Sequence, residues 1–144
     1  MGKVDSINDI LEFAIEREIE ANQLYMYMAK RMKTAVMSKM CEAFAQEELE
    51  HKDKLEMELI KQGKIVRQFD ISAYTMEVGD PINMNYDELL MFAIKKEQTS
   101  IDFYTDLAEI VKDKESRDML LALADEETIH KLQFAAGHNS LKQA

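Results

Sequence analysis

The sequence repeats itself at an offset of 79 residues, and this repeat constrains the fold more than any other feature of the chain. When residues 6–60 are aligned without gaps on residues 85–139, fifteen of the fifty-five pairs are identical. Self-similarity of this kind indicates that one structural unit has been duplicated. We therefore expect two halves that fold alike and pack against each other.

The composition favours long helices. Apolar residues make up 47% of the 144 positions, while the chain contains only four Gly and one Pro. Few turn-forming residues, together with many Met, Leu and Ala, are typical of helical proteins. A chain of this length is expected to form one domain with its own core.

The charge balance and the single cysteine exclude several classes of protein. With 28 acidic against 18 basic residues, the formal charge is −10, and no basic stripe is present that would bind nucleic acid. No apolar run approaches the roughly 18 residues needed to span a bilayer, and Met1–Asp5 lacks the apolar stretch of a secretory signal. Cys41 alone forms neither a disulfide framework nor a Cys-x-x-Cys metal knuckle, and we expect it to fill the core. A cytoplasmic protein that binds neither nucleic acid nor membrane is expected.

Each half carries the signals of a helical hairpin. Ser6 and Asn85 each stand three residues before an acidic residue, which is the pattern of a helix N-cap. Thr34 and Asp113 occupy equivalent positions after a very tight turn, and each suits the N-cap of a second helix.

Glycines mark the expected ends of the second helix in each half. Gly63 and Gly137 are the expected C-terminal stops, because Gly adopts the left-handed conformation that ends many helices. The helices are expected at about 6–33, 35–62, 86–112 and 114–137.

The segment 63–85 is the long connection of the chain. It contains Gly63, Gly79 and Pro81 and shows no sustained helical period. A connection of this length suits a chain that must travel along the whole bundle, which sets the second and third helices parallel. The sequence therefore predicts an all-α fold, a ferritin-like four-helix bundle of two duplicated hairpins with one long crossover, as a single domain over residues 1–144.

Ionisable residues interrupt the face that each helix should turn towards the core. An amphipathic helix buries positions i, i+3, i+4 and i+7. In the first and third helices one Glu lies within this stripe, and in the second and fourth helices a Glu and a His lie there together. The six interruptions are Glu18, Glu48, His51, Glu97, Glu127 and His130.

These six residues are expected to meet at mid-bundle. Glu18 and Glu48 lie about equally far, in sequence, on either side of the first turn near residue 33. Glu97 and Glu127 lie in the same way on either side of the second turn. Glu18 and Glu97 also lie twelve residues past their own helix caps. If the hairpins pack with approximate two-fold symmetry, all six groups converge.

Metal binding explains how four carboxylates and two imidazoles can share an apolar core, because buried unpaired charges are costly. Two divalent cations balance four carboxylates, and the mixed N and O ligands suit Fe, Mn or Zn. A single Glu-x-x-His in so acidic a chain would more simply belong to a solvated face. Two at repeat-equivalent positions, each able to place both side chains on one side of a helix, favour a metal site.

Other polar residues lie near these six. Tyr25 and Tyr104 each follow the stripe Glu by seven residues, so their hydroxyls either reach the cluster or belong to ordinary core tyrosines. Glu47 and Glu126 each precede a His by four residues, where they either orient an imidazole across the bundle or form a solvated flank. His138 follows Gly137 and is expected in the tail.

Four motifs resemble the rubrerythrin branch of the ferritin-like superfamily. They are Ala-Ile-x-x-Glu-x-x-Ala-x-x-Leu-Tyr at 14–25, Ala-Ile-x-x-Glu-x-x-Ser-x-x-Phe-Tyr at 93–104, Glu48-x-x-His51 and Glu127-x-x-His130. The resemblance implies a carboxylate-bridged dinuclear site with two iron ions per chain, for which Mn or Zn are possible substitutes. The implied metal ligands are Glu18, Glu48, His51, Glu97, Glu127 and His130. Tyr25 and Tyr104 match tyrosines that lie beside such sites.

The resemblance implies an oxidoreductase that reduces hydrogen peroxide or reacts with dioxygen. The sequence departs from the family pattern in two respects. The chain has one Cys and so lacks the four-cysteine rubredoxin domain, which calls for an external electron donor protein, and Ile94 stands where the family usually has an additional Glu. The alternatives are a ferroxidase or iron-handling protein and, from another class, a non-catalytic metal-stabilised binding or regulatory bundle. The resemblance and the long crossover also lead us to expect a homodimer.

Overall fold

The computed structural model describes residues 7–61, 71–75 and 80–143. Its four α-helices confirm the expected fold class, and α1 and α3 each end two residues earlier than expected. The helices are α1 (Ile7–Arg31), α2 (Ala35–Lys61), α3 (Tyr86–Ile110) and α4 (Lys114–Gln143). Between α2 and α3 lie two short 3₁₀ helices, Ile71–Tyr74 and Pro81–Asn83. The expected cap at Ser6 and stop at Gly63 lie outside the described residues.

Three expected N-caps lie within the described residues, and all three are confirmed. Asn85 forms a capping box with Glu88: its side chain accepts a hydrogen bond from the Glu88 amide at 2.8 Å, and its amide donates to Glu88 Oε1 at 3.0 Å. The side chains of Thr34 and Asp113 each accept the amide three positions on, at 3.1 and 3.0 Å. Each cap satisfies one backbone donor that a helix start leaves free.

Replacing Asn85 by Ala is expected to lower the free energy of unfolding by about 1 kcal/mol, because the first turn of α3 loses its acceptor. Urea unfolding of the two proteins measures the difference. The control is Asn85→Asp, which retains the acceptor and is expected to unfold at nearly the wild-type midpoint. Equal midpoints for Asn85→Ala and wild type would show that the cap adds nothing.

The helices pack in the order that a ferritin-like bundle requires. α1 and α2 are antiparallel because a turn of three residues joins them. α1 and α3 are also antiparallel, since the contact of Tyr25 with Glu97 and that of Glu18 with Tyr104 run in opposite directions along the two helices. α2 and α3 are therefore parallel, as the long crossover predicts.

Both described parts of the crossover lie against α1 or α3. Tyr74 Oη donates to Asp106 Oδ2 near the end of α3 at 2.6 Å. Arg31 Nη1, at the end of α1, donates to the carbonyl oxygen of Pro81 at 3.1 Å. The crossover is thus attached at two distant points of the bundle, close to the end and to the start of α3.

The apolar core consists of two clusters. The first includes Leu11, Leu55, Leu107 and Leu123, and the second includes Met28, Phe44, Leu90 and Phe134. Burying such a side chain fully contributes about 1.5–3 kcal/mol, so the two clusters hold the four helices together. The polar layer described below lies between them.

The fold agrees with the core position expected for Cys41. Cys41 is fully buried in the second cluster. Its burial and, to a smaller extent, the nearby charge of Glu42 raise the thiol pKa to about 12.

Among the helices described, none combines the length and the apolar character needed to cross a membrane.

α4 continues to Gln143, so the prediction that Gly137 ends this helix is wrong. A Cβ atom at Gly137 would lie 2.6 Å from Cε of Met37, so the glycine leaves room for the end of this side chain from α2. His138 is not a tail residue either. It is buried, and its Nε2 lies 2.6 Å from Oδ1 of Asp87 on α3.

Candidate metal centre

Six ionisable side chains form a layer across the middle of the bundle. α1 and α3 each supply one Glu, and α2 and α4 each supply a Glu-x-x-His pair. Each of the six is at most 2% exposed. The structure brings together all six residues that interrupt the predicted core stripes, namely Glu18, Glu48, His51, Glu97, Glu127 and His130.

The layer divides into two groups of four. One contains Glu18, Glu48, His51 and Glu127, and the other contains Glu48, Glu97, Glu127 and His130. Within each group the facing nitrogen and oxygen atoms all lie within 4.8 Å of one another. Glu48 and Glu127 belong to both groups, so these two carboxylates lie between two neighbouring positions that could each hold a cation.

Each imidazole presents Nδ1 to three carboxylates at nearly equal distances. His51 Nδ1 lies 3.4 Å from Glu18, 3.5 Å from Glu48 and 3.3 Å from Glu127. His130 Nδ1 lies 3.3 Å from Glu48, 3.4 Å from Glu97 and 3.5 Å from Glu127. Two ligand atoms bound about 2.1 Å from one ion at a tetrahedral angle are about 3.4 Å apart. The spacing of these atoms therefore fits a shared cation.

The inward-facing atoms of the layer lack hydrogen-bond partners. Leaving a buried polar atom without a partner costs about 1–3 kcal/mol, and more when the group is charged. The seven unpartnered atoms are Glu18 Oε2, Glu48 Oε1, His51 Nδ1, Glu97 Oε2, Glu127 Oε1 and Oε2, and His130 Nδ1. Because carboxylate oxygens and imidazole nitrogens are the usual ligands of Fe, Mn and Zn, these atoms fit a pair of cations.

Three of the four carboxyl groups hold protons more tightly than usual. Burial, followed by the charge of Glu127, raises the pKa of Glu48 well above its ordinary range and that of Glu97 to about 8. The same two causes raise the pKa of Glu18. Burial alone would also raise the pKa of Glu127, but close contacts with His51 and Glu48 lower it. Without cations, protons reduce the charge repulsion in the layer.

The two imidazoles also retain protons. Burial alone would lower the pKa of His51, yet close contact with the carboxylates of Glu127 and Glu18 raises it to about 11. The pKa of His130 is raised as well: burial opposes the shift, and contact with Glu97 outweighs burial. Metal binding must therefore displace protons from this layer.

A carboxylate from the opposite hairpin contacts the outer nitrogen of each imidazole. His51 Nε2 lies 3.0 Å from Glu126 Oε2, and His130 Nε2 lies 2.8 Å from Glu47 Oε2. The two Glu side chains are 37% and 40% exposed and so extend from the layer to solvent. Once the Nδ1 proton is displaced, an Nε2–H donated to a carboxylate would leave the Nδ1 lone pair facing inwards, and carboxylates orient metal-binding histidines in this way.

The two tyrosines singled out from the sequence contact the layer reciprocally. Tyr25 donates its hydroxyl hydrogen bond to Glu97, and Tyr104 donates to Glu18. Burial, followed by the neighbouring carboxylates, raises the pKa of both phenols well above the usual value of 10, so both remain protonated donors. Each tyrosine therefore holds the Glu of the other hairpin.

The two halves of the layer are not identical. Phe44 stacks on His130 with ring centroids 3.9 Å apart, whereas its repeat-equivalent residue is Leu123. The helical period places Phe44 in the core stripe of α2, but it does not distinguish a ring that stacks on an imidazole from any other core residue. Ile94 is half-buried and packs against the second apolar cluster, so it brings no additional carboxylate to the layer.

Sequence comparison identifies the family of this chain. The sequence pattern of the rubrerythrin family matches residues 9–138. The chain belongs to the rubrerythrin family. The match covers both hairpins, and with one Cys these 144 residues do not include a four-cysteine rubredoxin domain. No curated protein matches the chain significantly.

Solved structures share the ferritin-like fold of this rubrerythrin-family chain. A hypothetical protein from Pyrococcus furiosus aligns with a TM-score of 0.77 and 23% identity, covering 96% of this chain and 91% of that one. A candidate ferritin-like diiron-carboxylate protein from Thermotoga maritima gives a TM-score of 0.82 and 18% identity, over 96% and 98%. KatB, a manganese catalase from Anabaena, gives 0.70 and 19%, over 99% and 77%. At these identities the likeness shows the fold.

Proposed function

We propose that the mid-bundle layer holds two redox-active divalent cations and that the protein reduces hydrogen peroxide with electrons from an external donor. The set of seven unpartnered inward-facing atoms carries this proposal. Membership of the rubrerythrin family favours iron, and the carboxylate and imidazole donors would also accept manganese or zinc.

The ligand roles follow from the two groups of side chains. Glu48 and Glu127 would help to hold both cations, because these two residues belong to both groups. Glu18 and His51 would complete one position, and Glu97 and His130 would complete the other. Two divalent cations balance four carboxylates, which removes the repulsion that otherwise raises the carboxyl pKa values.

The proposed reaction requires two electrons: H₂O₂ + 2H⁺ + 2e⁻ gives 2H₂O. Iron held by these residues would supply the two electrons, one from each Fe(II), and an external donor would have to return them. The chain contributes position and environment. Tyr25 and Tyr104 hold the single Glu of each half, Glu47 and Glu126 hold the imidazoles, and the apolar clusters on either side exclude bulk water.

A second reaction is proposed because one structural neighbour is a manganese catalase. Two molecules of peroxide would then give two of water and one of dioxygen, and no external donor would be needed. Oxygen evolution by the manganese-loaded protein, measured with an oxygen electrode, would favour this reaction. If the iron-loaded protein consumes peroxide only in the presence of a reductant, the peroxidase reaction is favoured.

The peroxidase proposal is tested by mixing anaerobic protein containing two Fe(II) per chain with one equivalent of peroxide. We expect absorbance of oxidised iron to develop at least about tenfold faster than in air-saturated buffer, a difference of about 1.4 kcal/mol in barrier. An equal or slower reaction with peroxide would argue against this function. Under the same iron loading, growth of a mineral core would instead indicate iron storage, and zinc in protein from its native source would indicate a structural metal.

A further inference from the structure

A small cavity lies between α1 and α3, next to the candidate metal centre. Its volume is about 50 Å³. Tyr104 forms part of its lining and also donates its hydroxyl hydrogen bond to Glu18. Ala14, one turn before Glu18, and Ser100, one turn after Glu97, line it as well. The cavity is therefore separated from the candidate ligands by one side chain.

Both halves line the cavity, but it is offset towards Tyr104. Phe13 with Phe92, Arg17 with Lys96 and Glu20 with Thr99 are repeat-equivalent pairs in its lining, whereas Tyr104, Ser100 and Phe103 line it without their equivalents Tyr25, Ala21 and Leu24. Tyr25, the equivalent of Tyr104, is fully buried, and the rings of Phe44 and Phe134 pack against it with centroids 6.5 and 5.2 Å away. At the repeat-equivalent positions around Tyr104, aliphatic side chains replace both rings: Leu123 corresponds to Phe44 and Leu55 to Phe134. Both tyrosines are buried, but Tyr104 lines the cavity and Tyr25 does not.

The lining of the cavity defines what can enter. Phe13, Phe92 and Phe103 supply apolar walls. Arg17 and Lys96 contribute two positive charges, and Glu20, which pairs with Arg17, contributes one negative charge. A single water needs about 10–15 Å³ of such space, so the cavity holds only a few water-sized molecules. Hydrogen peroxide satisfies this limit, while an organic hydroperoxide carrying an aromatic ring does not.

We infer that the oxidant reaches the metal centre through this cavity, past Tyr104 on the Glu18 side, and that the cavity restricts the oxidant to the size of hydrogen peroxide. The inference rests on the proposed function. It assigns the Tyr104 side as the entrance and the Tyr25 side as closed, although the two tyrosines make equivalent contacts with the candidate ligands.

Ser100→Leu tests the entrance, because it fills the cavity from α3 without altering a candidate ligand. The control is Gln23→Leu, which places the same apolar side chain in the neighbouring groove lined by α1, α3 and the crossover. Thr99→Leu, at another lining residue, is a second filling variant in case the first folds poorly. Ser100→Ala keeps the cavity open and places there the residue found at the repeat-equivalent Ala21.

The first readout is independent of metal and activity. Crystals of metal-free wild-type protein, Gln23→Leu and Ser100→Ala under xenon pressure are expected to show xenon beside Tyr104, and crystals of Ser100→Leu are expected to show none. The second readout is oxidation of the diferrous protein. Peroxide is expected to react about tenfold more slowly with Ser100→Leu than with Gln23→Leu, at equal metal content. Cumene hydroperoxide is expected to react slowly with the wild type.

The outcomes separate the two proposals. If peroxide fails to oxidise the wild-type protein rapidly, the proposed function is wrong. If the wild type reacts rapidly and both Ser100→Leu and Thr99→Leu react at the same rate, the entrance is elsewhere. Rapid oxidation of the wild type by cumene hydroperoxide would overturn the size limit.

Discussion

Replacing both Glu48 and Glu127 by Gln is expected to abolish metal loading. These are the two carboxylates shared by both groups of candidate ligands. Gln keeps the size of the side chain but removes the negative charge that a divalent cation requires. We expect the metal content, measured by elemental analysis after loading and desalting, to fall from two ions per chain to nearly none.

Two control variants separate ligand loss from general damage. Glu47→Gln with Glu126→Gln removes the carboxylates that contact the imidazoles, and such outer partners typically change metal affinity by about 10–100-fold. Glu58→Gln removes a buried carboxylate that accepts a hydrogen bond from Ser116, away from the layer, and should leave metal content unchanged. Two metals retained by the Glu48 and Glu127 double variant would refute the ligand assignment.

Removing the metals is expected to make folding stability fall as the pH rises from about 5 to 9. The folded pKa of Glu97 is about 8, above its ordinary 4.5, and that of His51 is about 11, above 6.5. A group with a raised folded pKa stabilises the protein fully below its unfolded pKa, and this contribution is lost as the pH rises through the folded value. Glu97 therefore loses its contribution from 4.5 to 8, and His51 from 6.5 to 11.

The slope of this dependence can be measured by urea unfolding in EDTA. Each additional proton bound by the folded state gives about 1.4 kcal/mol per pH unit. The lowered pKa of Glu127 acts in the opposite direction, but its contribution to stability is lost only as the pH falls below about 4.5.

Glu97→Gln is expected to flatten the curve of stability against pH between pH 5 and 8. Metal-loaded protein should lack the decline in stability because cations replace the protons. A flat curve for metal-free wild type would contradict the raised pKa values.

The sequence was sufficient to predict the six residues of the layer because two periodicities coincide. The helical period identifies core positions, and the 79-residue repeat shows that Glu18 and Glu97, like the two Glu-x-x-His pairs, occur at equivalent positions. N-caps such as Asn85 are equally local, since the capping side chain and the amide it accepts lie three residues apart.

Features that depend on contacts between distant residues could not be predicted in this way. Gly137 is expected from the sequence to end α4, but it lies within the helix against the end of the Met37 side chain, and sequence alone does not distinguish these two uses of glycine. Each tyrosine lies on the same helix as one stripe Glu, yet it bonds the Glu of the other hairpin, and this pairing depends on how the hairpins pack. The cavity beside Tyr104 likewise depends on side chains from both hairpins.

X-ray absorption at the iron, manganese and zinc edges of protein purified from its native source tests the metal centre most directly. We expect two ions of a redox-active metal per chain, bound by nitrogen and oxygen ligands at about 2.0–2.2 Å, with a second metal about 3.5–4 Å away. A single isolated ion, sulfur ligands, or protein without metal that resists loading would contradict the assignment of the six buried side chains as a dinuclear site.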